Sequence, residues 1–377
     1  MERRLFLRTG ALAGATAALP HRLAGADALF APVRGAGTRQ DPLRLDANEN
    51  PLGLGPMARA AATEAFAVAN RYPDDEAAAF QERLAESLGV ASNQLFLGNG
   101  STEILQMAVQ ALGGDGARII TAHPTFEDVA TYRLPLGTEL IPVPLDSRFA
   151  HDLGRMREEA ARSRSLSIVY VCNPNNPTGT LTDSREVQSW IQEADEDVFF
   201  IVDEAYFELV DDPTYQSCLP LTREYRNLLV VRTFSKIYGL AGMRMGYGIA
   251  HPDTVRRMTA YMAKSNTNQL AVAAASASLD DWAHVQRSVD SNRAAKAVVL
   301  ETLDELGLEA LPSHTNFLMH HIGVDVHGYI DRFAEAGIAV GRPFPPMLQY
   351  NRLSLGTPEE MGRWADTIRD FRRRGWI

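Results

Sequence analysis

The sequence has only two cysteines among its 377 residues, Cys172 and Cys218. Neither lies at metal-ligand spacing from a second cysteine or a histidine, so nothing in the sequence indicates a metal site. Cys172 ends an apolar run, which favours a buried free thiol. The sequence alone does not fix the redox state of either cysteine.

Positively charged residues are also fewer than negatively charged ones. It carries 37 Lys and Arg against 47 Asp and Glu, a formal net charge of −10. Such an acidic chain is a poor partner for nucleic acid or for an anionic membrane. The short basic run Arg372 to Arg374 is typical of a solvated helix end. Beyond the N-terminus, no stretch is long and apolar enough to span a bilayer.

The N-terminus has the three parts of a secretory signal. Arg3 and Arg4 are followed by a small and apolar run, Thr9 to Leu19, and then by small residues that end at Ala26. The paired arginines resemble a twin-arginine export signal. We therefore expect residues 1–26 to be a signal peptide and the mature protein to be periplasmic or exported, without a membrane anchor. A frayed amphipathic helix on a cytoplasmic protein is the alternative.

The middle of the chain alternates between apolar, β-branched runs and helix-like stretches. This alternation predicts an α/β fold with a mainly parallel sheet flanked by helices. The runs are almost continuously apolar, which is typical of strands buried on both faces. The predicted strands are Arg118–Ala122, Leu140–Val143, Ser167–Val171, Phe199–Val202, Leu228–Val231 and Tyr247–Ala250, and the predicted helices include Thr102–Leu112, Ser184–Ala194 and Pro252–Lys264.

The pattern changes near residue 285. A long helical stretch, Val285–Leu306, leads into short strands and a last helix after Pro358, which predicts a smaller α+β domain. The region Pro42–Ala69 has no sheet-like pattern and is expected to pack with that domain. The predicted divisions are a signal peptide (1–26), an N-terminal arm with part of the small domain (27–70), a large domain (71–285) and a C-terminal small domain (286–377).

Reactive side chains follow several of the predicted strands, and ligands of parallel sheets bind at the carboxyl ends of strands. Lys236 is the most informative, because it follows the hydroxyl of Ser235 and precedes Arg244 in a glycine-rich stretch. A lysine can form an imine with an aldehyde, while hydroxyls and an arginine can hold a phosphate. An aldehyde and a phosphate on one small molecule describe pyridoxal 5′-phosphate (PLP).

A second phosphate-binding element is predicted after the strand at 95–97. Gly100, Ser101 and Thr102 precede a helix whose N-terminal N–H groups and positive dipole end could bind an anion. Simple helix capping by Ser101 or Thr102 is the alternative. Phe126 follows the strand that ends at Ala122 and could stack on a flat ring, although a core position is the default for a phenylalanine.

Three further residues fit an aromatic ring of this kind. Asn176, in a proline-rich loop, could donate to a phenolate oxygen, and Tyr206 could bond the same oxygen. Asp203 ends a buried strand, where an unpartnered carboxylate is costly. A protonated pyridine nitrogen would be its partner and would keep the ring an electron sink. Capping of the following segment is the alternative for Asp203.

Together these motifs resemble fold-type I PLP enzymes, specifically class I and II aminotransferases of the histidinol-phosphate aminotransferase group. The resemblance extends from about Leu45 to the C-terminus and depends on the segments 173–179, 203–206 and 233–236 with Arg244. It implies a large domain with a seven-stranded sheet, PLP as the cofactor, and amino acid and 2-oxo acid substrates. It also implies a homodimer with shared active sites.

The resemblance implies a role for each matching residue. Lys236 would bind the PLP aldehyde and move the proton, Asp203 would pair with the pyridine nitrogen, and Phe126 would stack on the ring. Asn176 and Tyr206 would contact the phenolic oxygen. The phosphate would be held by Gly100, Ser101, Thr102, Ser235 and Arg244, with Tyr72 reaching in from the neighbouring subunit. The substrate would be held by Asn48, Asn176, Arg342 and Arg352, with Arg352 on its α-carboxylate.

Three departures from the family pattern fall in the substrate pocket. Phe126 stands where tyrosine is frequent, Leu52 replaces an aromatic residue, and Arg342 stands in an unusual segment. An exported enzyme is not expected to serve histidine biosynthesis, whose intermediates are cytosolic. We therefore expect a ping-pong aminotransferase that acts on another amino acid, aromatic or basic. The alternatives are a PLP-dependent phospho-amino-acid decarboxylase and a non-catalytic exported binding protein of the same fold.

Overall fold

The computed structural model describes residues 35–114 and 116–377. The predicted signal peptide, residues 1–26, lies outside the described residues. The strands are β1 (Leu43–Leu45), β2 (Leu95–Asn99), β3 (Arg118–His123), β4 (Glu139–Pro144), β5 (Ser167–Cys172), β6 (Val198–Asp203), β7 (Leu228–Thr233), β8 (Met245–Ala250), β9 (Phe317–His321), β10 (Ile338–Val340) and β11 (Tyr350–Ser354). The helices are α1 (Pro56–Ala65), α2 (Asp74–Ser87), α3 (Ser101–Leu112), α4 (Asp128–Tyr132), α5 (Leu153–Ala161), α6 (Ser184–Glu193), α7 (Pro252–Thr259), α8 (Gln269–Ser278), α9 (Trp282–Glu305), α10 (Val326–Glu335) and α11 (Pro358–Arg373).

A seven-stranded sheet carries most of the reactive side chains. Its strand order is β2-β8-β7-β6-β5-β3-β4, and only β8 runs antiparallel to its neighbours. The prediction of a mainly parallel sheet is confirmed. The reversal of β8 was not foreseen. A parallel return needs a long crossover, usually a helix, and the segment from β7 to β8 contains only one short 3-10 turn.

The sheet is buried on both faces, as its apolar strands predicted. Along β5, Val169 and Val171 belong to one apolar cluster, while Ile168 and Tyr170 belong to another. The alternation arises because successive side chains of a strand point to opposite faces. Helices on both sides cover these clusters, so the polar groups of the sheet collect at the strand ends.

A separate apolar cluster forms around helices α9, α10 and α11, with the antiparallel pair β9–β11. Contrary to expectation, the region 42–69 contains a strand, because β1 pairs in parallel with β10. Leu43 and Leu45 are buried in this cluster, so β1 packs with the helices α9, α10 and α11. Three residues are too short a run for their alternation to stand out in the sequence.

Several boundaries differ from the predicted ones. Helix α7 ends at Thr259 rather than at Lys264. Helix α9 begins at Trp282, so the predicted domain boundary at 285 falls inside a helix. The domain divisions stay predictions.

Two further predictions concern the cysteines and membrane-spanning segments. Cys172 and Cys218 are both buried free thiols, as the apolar run before Cys172 favoured. Within residues 35–114 and 116–377, no helix has the length and hydropathy needed to cross a bilayer.

Candidate active site

A cavity of about 400 Å³ lies at the carboxyl ends of β5, β6 and β7. Its size is typical of a pocket for a small molecule or cofactor. All the site residues predicted from the sequence line it except Gly100 and Tyr72. Residues from the sheet, from the N-terminal arm and from β11 therefore meet in one place, although they are far apart in the sequence.

Lys236 lies in the turn that follows β7. Its Nζ donates a hydrogen bond to the carbonyl oxygen of Asn48 at 3.3 Å and lies 5.5 Å from the ring centre of Tyr206. Burial, reinforced by the charge of Arg352, lowers the pKa of Lys236 to about 8. Arg244 lowers this pKa as well, but Arg352 has the larger effect of the two arginines. A lysine with this pKa has a sizeable neutral fraction near neutral pH and can accept a proton.

Asn48 links the N-terminal arm to both walls of the cavity. Its φ is 55°, in the left-handed region that asparagine tolerates better than most residues. Its side chain donates to the Tyr206 hydroxyl at 3.2 Å and accepts from the Ser354 hydroxyl at 2.7 Å. Its carbonyl accepts from Asn316 as well as from Lys236. The arm is thereby held against the lysine.

Asp203 is a buried carboxylate without a cationic partner. It is 2% exposed, and its oxygens accept from the Tyr170 hydroxyl at 2.9 Å and from the Ala205 N–H at 3.1 Å. Among the described residues, no ion pair includes it. Burial raises the pKa of Asp203 to about 6, against the effect of these hydrogen bonds. The Ala205 bond is the capping contact that the alternative interpretation foresaw, but it leaves the charge unbalanced.

Helix α3 begins at Ser101 with an open N-terminus. Gly100 is its N-cap, and no side chain caps the helix, so capping by Ser101 or Thr102 is not observed. The backbone of β8 passes so close that a Cβ on Gly246 would lie 2.2 Å from the Ser101 nitrogen. Free N–H groups at a helix start, beside two hydroxyls, form an anion-binding site.

Arg244 adds positive charge to this helix start. Its φ is 62°, and its Nη1 donates to the carbonyl of Ala241 at 2.8 Å. Within the described part of the chain it forms no ion pair. Ser235 lies nearby on the same turn, where its hydroxyl accepts from Thr233 at 2.9 Å. The α3 N-terminus, the hydroxyls and Arg244 together can hold a phosphate.

Arg352 is a buried cation that forms no ion pair with a carboxylate in the part of the chain that the structure describes. It is 8% exposed, and it donates to the Asn176 side-chain oxygen at 2.8 Å and to the Asp46 carbonyl at 2.6 Å. Its Nε is buried and has no hydrogen-bond partner. Burial lowers the pKa of Arg352 to about 10. An anionic group of a ligand would satisfy both the charge and the Nε–H.

Arg342 also lines the cavity, but it is already paired. Its Nη2 lies 2.7 Å from the Glu127 Oε2, and both side chains are more than half exposed. The sequence analysis assigned Arg342 to the substrate and did not foresee Glu127. Leu52, another of the three departures from the family pattern, does not line the cavity.

Tyr72 does not belong to the cavity of its own chain. Its side chain is 82% exposed. A role in phosphate binding therefore requires the cavity of a second copy, which is how the resemblance assigned it.

Tyr170 is a site residue that the sequence analysis missed. It is fully buried in β5, and its hydroxyl donates to Asp203 across the sheet. The available signal was its hydroxyl, the one polar group between apolar neighbours in the run 168–171. Such a group in a buried strand needs a partner on an adjacent strand.

The residues present fit PLP. The cationless Asp203 matches a protonated ring nitrogen, the α3 N-terminus and Arg244 match a phosphate, and Lys236 matches an aldehyde. Phe126 lines the same cavity, where it can cover a ring face.

Comparison with known proteins assigns the family. The sequence profile described as "Aminotransferase class I and II" matches residues 40–368. The chain belongs to the class I and II aminotransferases. It is a PLP-dependent transaminase of the kind that the resemblance implied, and the decarboxylase and binding-protein alternatives are not favoured.

Curated relatives and a similar solved structure agree with this family. It is 36% identical to "Histidinol-phosphate aminotransferase" of Brevibacillus brevis, over 87% of this chain and 90% of the relative. It is 38% identical to "Histidinol-phosphate aminotransferase 1" of Nitrosococcus oceani, over 89% of both chains. The histidinol-phosphate aminotransferase of Sinorhizobium meliloti, solved in complex with pyridoxal-5′-phosphate, superposes with a TM-score of 0.81 at 27% identity, covering 87% of this chain and 91% of that one.

The fold is shared more widely than the activity. L-threonine-O-3-phosphate decarboxylase of Porphyromonas gingivalis superposes with a TM-score of 0.76 over 88% of this chain and 99% of that one. Its identity is only 21%, so the similarity concerns the fold alone.

Asp203 should destabilise the aminotransferase when PLP is absent. Burial raises the pKa of Asp203 from 3.8 to about 6, so the folded chain binds this proton more tightly than the unfolded chain. Ionisation of the carboxylate therefore lowers the stability of the folded chain, and the loss is complete above that pH. At pH 8, Asp203→Asn should raise the free energy of unfolding of the apoprotein by about 1–3 kcal/mol. The gain should shrink as the pH falls from 6 to 4. Urea unfolding of PLP-free protein measures it.

The same substitution should weaken PLP binding, because the neutral amide no longer balances a ring cation. Asp290→Asn is the matched control, since Asp290 is exposed and pairs with Arg293 at 3.1 Å; its effect should stay within about 1 kcal/mol. If the Asp203→Asn apoprotein were no more stable than the wild type at pH 8, or bound PLP equally well, this account of Asp203 would be contradicted.

Proposed function

We propose that this aminotransferase moves the amino group of an α-amino acid with an aromatic or basic side chain to a 2-oxo acid, by a ping-pong mechanism. The observation that carries the proposal is Arg352, a buried cation with an unpartnered Nε in the same cavity as Lys236. An α-carboxylate bound there would set the amino acid beside the lysine.

When bound, PLP supplies the aldehyde that exchanges the amino group and a ring that withdraws electrons. In the proposed mechanism, the Lys236 Nζ takes the α-proton and gives it up again within the same half of the cycle, and the second half runs this transfer in reverse. The lowered pKa of Lys236 suits this work, because a base must be neutral before it accepts a proton. The Asn48 carbonyl, which accepts from Nζ, orients the lysine between the two events.

The remaining site residues bind and orient in this proposal. Asp203, oriented by Tyr170, holds the positive charge of the ring nitrogen. Ser101, Thr102, Ser235 and Arg244 hold the phosphate, and Phe126 covers the ring. Asn176 and Tyr206 hold the phenolic oxygen. Burial raises the pKa of Tyr206, so it acts as a neutral hydrogen-bond donor.

Histidinol phosphate is the second candidate donor, since the relatives at 36–38% identity carry its name. It has a phosphate and no α-carboxylate, so it would need a different anion contact from an amino acid. The two candidates are therefore distinguishable by donor screening.

We expect an aromatic or basic amino acid to be the best donor. Each amino acid and histidinol phosphate are added to the PLP form, and loss of the cofactor absorbance near ~420 nm identifies donors. In Lys236→Ala the rate should fall by about 10²–10⁴-fold, because the base is lost, whereas Lys264→Ala, at an exposed position, should match wild type. Faster turnover of histidinol phosphate than of every amino acid would overturn the specificity.

We also propose a homodimer in which Tyr72 completes the site of the partner subunit. The support is the exposure of Tyr72 outside its own cavity, together with the exposed Phe66 shortly before it in the chain. Two large exposed aromatic residues so close in the chain are typical of an interface.

The shared site predicts complementation. Tyr72→Ala and Lys236→Ala chains should each be impaired. After mixing and subunit exchange, heterodimers contain one intact site built from Lys236 of one chain and Tyr72 of the other. Activity should rise to roughly a quarter of wild type. No rise above the Tyr72→Ala level, with heterodimer formation verified by mass, would exclude the shared site.

Export through a twin-arginine signal at residues 1–26 completes the proposal. Such a route carries folded, cofactor-loaded proteins, which suits a PLP enzyme. The native chain should be found in the periplasmic fraction, shortened by about 26 residues, and Arg3→Lys with Arg4→Lys should keep it in the cytosol. Full-length native protein in the cytosol would contradict export.

A further inference from the structure

We propose that Glu127 determines which side-chain charge the aminotransferase accepts, by occupying Arg342. In this proposal, which rests on the proposed function, a donor with a second anionic group is disfavoured and a cationic side chain is favoured. Glu127 is thus a specificity-determining residue of the substrate pocket.

The geometry places Glu127 beside the cavity. It follows Phe126, which lines the cavity, and precedes helix α4. Its partner Arg342 comes from the opposite wall, just after β10, and lines the cavity itself. The 2.7 Å ion pair between them therefore joins two parts of the chain next to the substrate pocket.

The two arginines of the pocket are neighbours. The Phe344 ring lies 4.8 Å from the guanidinium carbon of Arg352 and 4.2 Å from that of Arg342. The guanidinium groups are therefore separated by no more than the sum of these distances. A short substrate that binds Arg352 with one end can reach Arg342 and Glu127 with the other.

Arg352, Arg342 and Glu127 differ in how readily their charges can bind a ligand. Within residues 35–114 and 116–377, Arg352 has no carboxylate partner, whereas Arg342 is neutralised by Glu127. A monoanion needs only Arg352. A dianion must take Arg342 from Glu127, while a cationic group can join Glu127 directly. Because Glu127 and Arg342 are 60% and 53% exposed, their pair is weak enough for a ligand to compete with it.

The test uses three competitors that share a carboxylate and differ at the far end. Valerate ends in a methyl group, glutarate in a second carboxylate, and 5-guanidinovalerate in a guanidinium, which carries positive charge but does not react with the PLP aldehyde as a primary amine would. Their dissociation constants are measured by calorimetry on the PLP-loaded enzyme. Since this measurement needs no turnover, failure of the donor screen and failure of this test are separate results.

In Glu127→Gln, the affinity for glutarate relative to valerate should rise about threefold to tenfold, because Arg342 is released. The relative affinity for 5-guanidinovalerate should fall. The double variant Glu127→Gln with Arg342→Gln should lose the gain for glutarate. The control Glu305→Gln, which removes the charge from an exposed 2.7 Å pair with Arg369, should leave both ratios unchanged.

Ratios of affinities are insensitive to a general loss of folded protein or of domain closure. An unchanged glutarate-to-valerate ratio in Glu127→Gln would overturn the proposal. The same rise in the double variant would also overturn it, because Arg342 would then play no part. If none of the three acids bound the wild type, Arg352 would not be the carboxylate site on which the proposal depends, and the proposal would be overturned.

Discussion

The site depends on charges held in a buried cavity without partners of their own. Among the described residues, Asp203 is a carboxylate that accepts only from neutral donors, and Arg352 is a cation that donates only to neutral acceptors. Each lowers the stability of the ligand-free protein, because a buried charge is favourable only when it is balanced. Each becomes balanced when the aminotransferase binds a ring cation or a substrate anion. The free energy of ligand binding therefore includes the gain from balancing these two buried charges.

The N-terminal arm makes this arrangement possible. Asn48 ties the arm to Tyr206, just after β6, and to Ser354 on β11, and its carbonyl accepts from Lys236. The strand β1 just before it pairs with β10. A single segment therefore fixes the distance between the lysine and Arg352. That proximity also contributes to the lowered pKa of Lys236.

Most of the cofactor site could be predicted from the sequence, because its residues stand in short motifs directly after strong apolar strands. Lys236, Asp203 and Asn176 are of this kind. The missed features depend on contacts between distant segments. The Tyr170–Asp203 bond requires the register of β5 against β6, and the Arg342–Glu127 pair requires the packing of the segment after β10 against the segment after β3. Strand β1 was missed because three residues carry too little pattern.

Covalent mapping tests the central claim most directly. The PLP-loaded aminotransferase is reduced with borohydride, which makes the bond between cofactor and lysine permanent, and is then digested and analysed by mass spectrometry. The account predicts that the cofactor mass is found on the peptide containing Lys236 and is absent from that peptide in Lys236→Ala. Cofactor attached to a different lysine in the wild type would contradict the site described above.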